Sequence, residues 1–435
     1  MPDHADDHGR AEPTLGGFAT RALHAGTPPD PVTGSRAQPI HATSSYVFAS
    51  AEHAAALFAG EVEGYQYARM HNPTVDAFAE RMRALEGGVA AVALSSGQAA
   101  SAATLLALAR PRSRVLLSRE AFGGTFALFR KWLQPWGVRL TTVAPTPEDV
   151  AAAMDDDVVA VWVETIANPS GTVPDLPAIA AAAHAGGAPL VVDNTWGCGG
   201  YLCRPLAHGA DVVVHSATKW IGGHGTIVGG VVVDGGRFAF DAVRFPAFHA
   251  ADARGRSWIE RYPRGVLAAR VHDLGLFTLG ATLSPFAAFL ALQGLETLPL
   301  RSAQSCAQAL ALAQWLRERD GVVSVRYAGL ADHPGHAVAR RVLHGGFGAV
   351  LALDLADQPA AFRFLDALRL VSHLANIGDA KSVAVHPWTT THAGLTEDER
   401  RAAGVLPGTV RLSVGLEELA DLQADVEGAL RAARG

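Results

Sequence analysis

The segment Asp211-Val-Val-Val-His215-Ser216-Ala217-Thr218-Lys219 ends an apolar run in two hydroxyls and a lysine, and Gly222-Gly223-His224-Gly225 follows at once. Hydroxyls two residues apart beside glycine-rich backbone suit a phosphate. A lysine next to them suits a Schiff base with an aldehyde that carries that phosphate. The bland alternative is a strand-end loop with a surface lysine. Lysine is scarce here: of 36 basic residues only Lys131, Lys219 and Lys381 are lysines. Chemistry that needs a lysine amine has no other candidates, and Lys131, in an Arg-Lys-Trp helical run, reads as surface.

Three further segments carry chemical residue types. Pro189-Leu-Val-Val-Asp193-Asn194-Thr195 puts an acid at the end of a buried apolar run. Such an acid is costly unless paired. A protonated pyridine nitrogen would pair it and act as an electron sink; a helix cap is the bland alternative. Leu94-Ser95-Ser96-Gly97-Gln98-Ala99-Ala100 reads as strand, small-residue turn, helix. Helix N-termini hold phosphate through free N–H groups and the helix dipole, although a plain cap at Ser95 or Ser96 is equally compatible. Tyr65-Gln66-Tyr67-Ala68-Arg69-Met70-His71-Asn72-Pro73-Thr74 sets Tyr67 and Arg69 two residues apart on an extended stretch, so both point one way. Both donate hydrogen bonds to oxyanions.

Elements able to position these residues follow from periodicity. From about residue 70, short apolar runs alternate with helix-length segments. Strands are expected over 89–94, 114–117, 138–143, 158–163, 189–192, 211–214 and 229–233, with helices over 97–109, 125–133, 148–154 and 176–185. Alternating units imply a mostly parallel sheet with helices on both faces, and ligands beyond the carboxyl ends of its strands. Beyond about 275 a long helix over 285–319 is expected. Strands follow over 322–327, 349–355, 382–385 and 409–414, with helices over 359–368 and 418–433. Together they suggest a smaller C-terminal α/β domain with an antiparallel sheet. The expected organisation is a mobile tail over 1–17, an arm over 18–68 lying on a neighbouring subunit, a large domain over 69–275 and a C-terminal domain over 276–435.

Composition excludes several classes. The chain has 435 residues, 49% of them apolar, enough to bury a sizeable core. Its net charge of −6 argues against a nucleic-acid partner. Its apolar runs are too short to span a bilayer. The Asp- and His-rich start resembles neither a secretory signal nor a transit peptide. Cys198, Cys203 and Cys306 make no disulfide framework, so a cytoplasmic setting is expected. Cys198 and Cys203 lack a second pair, and no metal site is expected. His215, His224, His386 and His392 read as structural. No Gly-x-Gly-x-x-Gly follows the first strands, which disfavours a nicotinamide dehydrogenase.

Taken together, these segments resemble the cysteine/methionine-metabolism group of pyridoxal-phosphate enzymes, the cystathionine γ-synthase-like family, and most of all its O-acetylhomoserine sulfhydrylase branch. The resemblance runs from about Phe18 to the C-terminus. It is carried in order by 67–74, 95–100, 164–171, 193–195, 215–225, 284–298, 378–392 and 411–415. It implies the PLP-dependent transferase fold of type I and a homotetramer built from two active-site dimers. Residue by residue, it implies that Lys219 holds pyridoxal 5'-phosphate and shuttles protons, and that Asp193 pairs the pyridinium nitrogen. Ser96, Gly97, Gln98, Ser216 and Thr218 would bind the phosphate, with Tyr67 and Arg69 supplied by the partner chain. Asn168 would sit near the ring hydroxyl. Arg411, helped by the Asn376 region, would clamp the substrate carboxylate. Lys381 also matches the family, but not as the cofactor lysine.

Three positions depart from the family. Phe122, in Phe122-Gly123-Gly124-Thr125, stands where relatives carry a tyrosine that stacks on the cofactor ring. The stacking face remains and the hydroxyl is lost, which disfavours expulsion of a thiol and suits a leaving group that needs no proton. Trp196 and Trp388 replace smaller residues and either reshape the pocket or simply pack. The expected reaction is γ-replacement or γ-elimination on a four-carbon amino acid, O-acetyl-L-homoserine plus sulfide giving homocysteine and acetate. The rivals are a secondary-metabolism enzyme with a halogenated or unusual γ-substituent and a non-catalytic relative.

Overall fold

The computed structural model describes residues 16–252 and 254–435. Most of the expected tail, residues 1–15, lies outside the described residues. Seven strands form the large sheet: β1 (Ala90–Leu94), β2 (Arg114–Ser118), β3 (Arg139–Val143), β4 (Val158–Glu164), β5 (Leu190–Asp193), β6 (Val212–Ser216) and β7 (Gly230–Asp234). Their order is β1-β7-β6-β5-β4-β2-β3. β7 alone runs against the direction of the other six strands, so the expected mostly parallel sheet is present. Strands covered on both faces need apolar residues at every position, and all seven residues of β4 are buried.

Alternate residues of each strand enter different cores. Val163, Val192 and Val213 pack with Phe78, Met82 and Leu85 of helix Pro73–Glu86. Trp162, Val191 and Val214 pack on the other face with Leu105 of helix Gly97–Leu108. Phe78, Met82 and Leu85 recur at helical spacing and are 0% exposed. Each such burial contributes about 1.5–3 kcal/mol.

The second sheet contains β8 (Ser324–Arg326), β9 (Val350–Asp354), β10 (Ser372–His373), β11 (Val383–Val385) and β12 (Thr409–Ser413), in the order β10-β11-β12-β9-β8. It is antiparallel, as expected, except where the unanticipated β10 pairs with β11. Its core joins Leu312, Leu316, Phe364, Leu422 and Val426.

Some helices differ from expectation. The long helix over 285–319 is two, Pro285–Glu296 and Leu298–Leu316, with Thr297 between them at φ −105° and ψ 1°. Pro299 explains the break: it has no N–H to offer Leu295 O, and in a continuous helix its ring would clash with that carbonyl. The helix over 125–133 begins at Gly123 and turns π-helical over Phe129–Leu133. Helix Pro73–Glu86 was not anticipated. Asn72 caps it, its Oδ1 accepting from Thr74 N (3.0 Å) and Val75 N (3.4 Å), with proline in the first turn. Buried Arg81 of that helix donates from Nε to Ala25 O (2.8 Å) and so fastens the N-terminal arm. Among the described residues no helix is long and apolar enough to cross a membrane.

Candidate active site

Strands β4, β5 and β6 end side by side at Glu164, Asp193 and Ser216, with Glu164 paired to Asp193 in register. Lys219 follows β6. Gly222 N donates to Ala217 O (2.8 Å) and Gly223 N to Lys219 O (2.7 Å), which closes the loop that carries it. Gly223 has φ +71°, and a Cβ there would meet the Arg301 guanidinium at 2.1 Å. Arg301 in turn donates to Trp220 O (3.0 Å). The Lys219 ammonium donates to Asn376 Oδ1 (2.7 Å). Burial, and then the Arg411 cation, pull its pKa down to about 8. The other lysines are exposed, and Lys381 pairs with Asp379 (3.2 Å).

Asp193 Oδ1 accepts from Thr195 N (2.9 Å), and Thr195 Oγ1 accepts from Ser216 N (2.8 Å). Burial pushes the Asp193 carboxyl above its usual range, while its bonds to Thr195 and the nearby His215 pull it back. Glu164, which sequence reasoning missed, is more strongly affected: burial and the adjacent Asp193 hold it well above the usual carboxylate range. Its two oxygens accept from Phe122 N (2.6 Å) and Asn168 N (3.2 Å). The signal was present, because Glu164 ends a buried run just as Asp193 does.

Ser96 caps helix Gly97–Leu108, Oγ accepting from Ala99 N (3.1 Å). A Cβ on Gly97 would meet Ser216 Cβ at 2.7 Å, and one on Gly230 would meet Ser96 O at 2.1 Å. Glycine at both positions lets the helix N-terminus close on the end of β6. Thr218 Oγ1 accepts from Gly229 N (3.1 Å), and Gln98 Nε2 donates to Gly124 O (2.8 Å). Phe122 lies beside that contact: a Cβ on Gly124 would meet its ring at 2.4 Å.

Arg411 sits in β12 and is 3% exposed. It donates from Nη1 to Asn168 Oδ1 (3.0 Å) and from Nη2 to Asn376 O (3.1 Å). Its Nε is buried without a partner among the described residues. Burial lowers its pKa to about 10. His392 Nε2 reaches Asn168 O (3.2 Å), and burial plus Arg411 lower its pKa to about 4. At neutral pH that ring is uncharged, so Nε2 donates and fixes Asn168.

Tyr67 and Arg69 stand apart. Both lie where the arm meets the large domain, and Arg69 donates to Phe277 O and stacks its guanidinium 5.4 Å from the Phe277 ring. Tyr67 is 44% exposed. Neither has a hydrogen bond to Lys219, Asp193 or Ser96 among the described residues. The departing tryptophans pack: Trp196 is buried against Trp220 (6.3 Å), and Trp388 lies under Arg400 (4.6 Å). His386 bonds Pro407 O (2.8 Å), and His224 bonds Gly222 O (2.7 Å).

Residues 19–431 match the family described as Cys/Met metabolism PLP-dependent enzyme. The chain belongs to that family. It is 46% identical to the sulfhydrylase FUB7 of Fusarium oxysporum over 98% of this chain and 100% of that one. It is 45% identical to O-acetyl-L-homoserine sulfhydrylase 1 of Thermus thermophilus, over 95% and 99%. Its fold superposes with a TM-score of 0.92 on a putative O-acetylhomoserine (thiol)-lyase from Campylobacter jejuni, 31% identical over 95% and 99%, which carries a pyridoxyl-lysine monophosphate. The fold is therefore the PLP-dependent α/β architecture of these relatives, and this is a PLP-dependent enzyme. Its own residues fit that cofactor. One half-buried lysine with a lowered pKa, a helix N-terminus and a half-buried acid stand at the ends of adjoining elements, and the glycines at 97 and 230 leave room where a side chain would fill the cradle.

Proposed function

We propose that this PLP enzyme replaces the γ-substituent of an O-acylated homoserine, taking O-acetyl-L-homoserine and sulfide to homocysteine and acetate. The observation that carries the reading is the sharing of Asn376. Its side chain accepts from the Lys219 amine and its carbonyl from the Arg411 guanidinium. A proton-transfer group and a carboxylate-binding cation thus converge where an amino acid would lie. The names of the relatives favour acetyl and sulfide.

The bound cofactor supplies an aldehyde for the Lys219 amine and a ring that stores electrons. Lys219 attaches it, then takes the substrate's α-proton at Nζ and returns it. Asp193 holds the ring nitrogen. Ser96, Gly97, Gln98, Ser216 and Thr218 would hold the phosphate, Asn168 would hold the ring hydroxyl, and Phe122 would offer its ring to the cofactor. Arg411 turns two N–H groups to the substrate carboxylate. Phe122 has no hydroxyl to protonate a departing group, and acetate needs none at neutral pH. Tyr67 and Arg69, at the end of the arm, complete the phosphate site of a second copy in a homotetramer of active-site dimers. The working division is an arm to 68, a large domain to 275 and a C-terminal domain beyond, in a cytoplasmic enzyme. Phe122 also favours a second reading, γ-elimination of a halide or unusual acyl group.

Purified enzyme given O-acetyl-L-homoserine is expected to release homocysteine only when sulfide is added, as read by mass spectrometry. Cystathionine, whose leaving group is a thiol, should turn over far more slowly. Absent homocysteine, with the cofactor spectrum still responding to amino acids, would replace sulfide chemistry by the second reading.

The lowered Lys219 pKa has a testable sign. With a pKa of about 8, roughly a tenth of the amine is free at pH 7, against fewer than about one in a thousand for an ordinary lysine. Loading of apoenzyme with pyridoxal phosphate, followed by absorbance, should quicken about tenfold per pH unit below 8 and level off above it. A rate still climbing at pH 9.5 would show an unperturbed amine.

A further inference from the structure

Glu86 ends helix Pro73–Glu86, and its side chain is 0% exposed. An acid at a helix C-terminus faces the negative end of the dipole, so helix stability gives no reason for it. Its Oε1 accepts from His215 Nε2 (2.6 Å) and from Asn194 Nδ2 (2.7 Å). Asn194 also donates to Cys203 O (2.8 Å), and its Oδ1 accepts from Thr165 Oγ1 (2.6 Å). Thr165, Asn194 and His215 are all 0% exposed.

The register gives this cluster a meaning. Thr165 follows Glu164, Asn194 follows Asp193, and His215 precedes Ser216. Side chains alternate along strands. Val163, Val192 and Val213 share the core that contains helix Pro73–Glu86, while Trp162, Val191 and Val214 share the other. Thr165, Asn194 and His215 therefore continue the first face. Glu164, Asp193 and Ser216 continue the second. One buried acid ties the ends of three strands together from beneath the face that carries the cofactor residues.

We propose that Glu86 is a positioning residue for the cofactor: through its hydrogen bonds to His215 and Asn194 it fixes Asp193 against the ring nitrogen. The inference rests on the reading of Asp193 given above. Glu86 Oε2 and His215 Nδ1 have no hydrogen-bond partner among the described residues.

Glu86→Gln keeps both accepted bonds and deletes the charge. His215→Gln keeps a donor near Nε2 and deletes the ring. In each variant the Kd of the apoenzyme for pyridoxal phosphate is expected to rise about tenfold, and kcat to fall about ten- to a hundredfold, the scale of outer hydrogen-bond partners. KM for the amino acid should stay within about twofold, because neither residue reaches it. Asp193→Asn should cost more, and adding Glu86→Gln to it should change Kd and kcat by less than about twofold. A lower apoenzyme Tm with Kd and kcat unchanged would overturn the proposal, as would losses that multiply in the double variant. If Asp193→Asn alone leaves cofactor affinity and kcat intact, the Asp193 reading fails and the proposal falls with it. Should Glu86→Gln not fold, His215→Gln decides by the same readouts.

Discussion

Lys219→Ala is expected to lose covalent attachment of pyridoxal phosphate and to lower turnover by at least about 10²–10⁴, the usual worth of a positioned acid–base group. Lys219 is the one lysine that is not exposed, and its amine sits 2.7 Å from Asn376 Oδ1. A pKa of about 8 leaves part of it nucleophilic near neutral pH, and no other amine lies in the cluster. Borohydride reduction followed by mass spectrometry should place the pyridoxyl group on Lys219 in the parent and nowhere in the variant. Lys131→Ala and Lys381→Ala, both on the surface, should retain attachment and turnover. The variant should still bind pyridoxal phosphate non-covalently, since the cradle at Ser96 and Ser216 is built from the helix N-terminus and the end of β6. An added primary amine should then restore part of the rate. A pyridoxyl group found on Lys131 or Lys381 in the parent would move the active site elsewhere.

What the sequence discloses here depends on whether one chain and one local pattern contain the cause. The large sheet was legible because β4, β5 and β6 are apolar up to their last one or two residues, a pattern that suits a doubly covered strand. Lys219 and Asp193 were legible because each is an ionisable residue closing such a run. Glu164 obeys the same rule and was overlooked beside the Asn168-Pro169 turn. Glu86 was not legible at all: in sequence it is one more charge at the end of an unnoticed helix. Its meaning comes from contacts with residues more than a hundred positions away. The break at Thr297 was signalled by Pro299, but unbroken apolar periodicity on both sides outweighed it. Trp388 shows the opposite case. Its bulk suggested either a changed pocket or plain packing, and Arg400 and Arg401 lie over its ring. Tyr67 and Arg69 could be placed only by resemblance, because the group they are proposed to hold belongs to another chain.

Arg411→Gln should separate substrate binding from stability in opposite directions. The guanidinium is buried and bonded to Asn168 Oδ1 and Asn376 O, both uncharged acceptors, and no ion pair to it is present among the described residues. A buried cation without a counter-ion pays desolvation with little Coulombic return. Removing it should leave the apoenzyme Tm unchanged or raise it. A substrate carboxylate would supply the missing charge and a partner for the free Nε. Losing one member of such a buried pair costs about 2–5 kcal/mol, roughly 30- to several-thousand-fold in KM. Arg411→Lys should recover only part of this, because an ammonium does not offer the planar pair of donors that matches a carboxylate. A third consequence ties the residue to the cofactor lysine. Arg411 contributes to the lowered Lys219 pKa, so without it the Lys219 pKa rises. The loading profile of the apoenzyme should then shift to higher pH. A variant with unchanged KM, or one whose only defect is a lower Tm, would show that Arg411 serves the fold of the second sheet and that the substrate carboxylate is bound elsewhere.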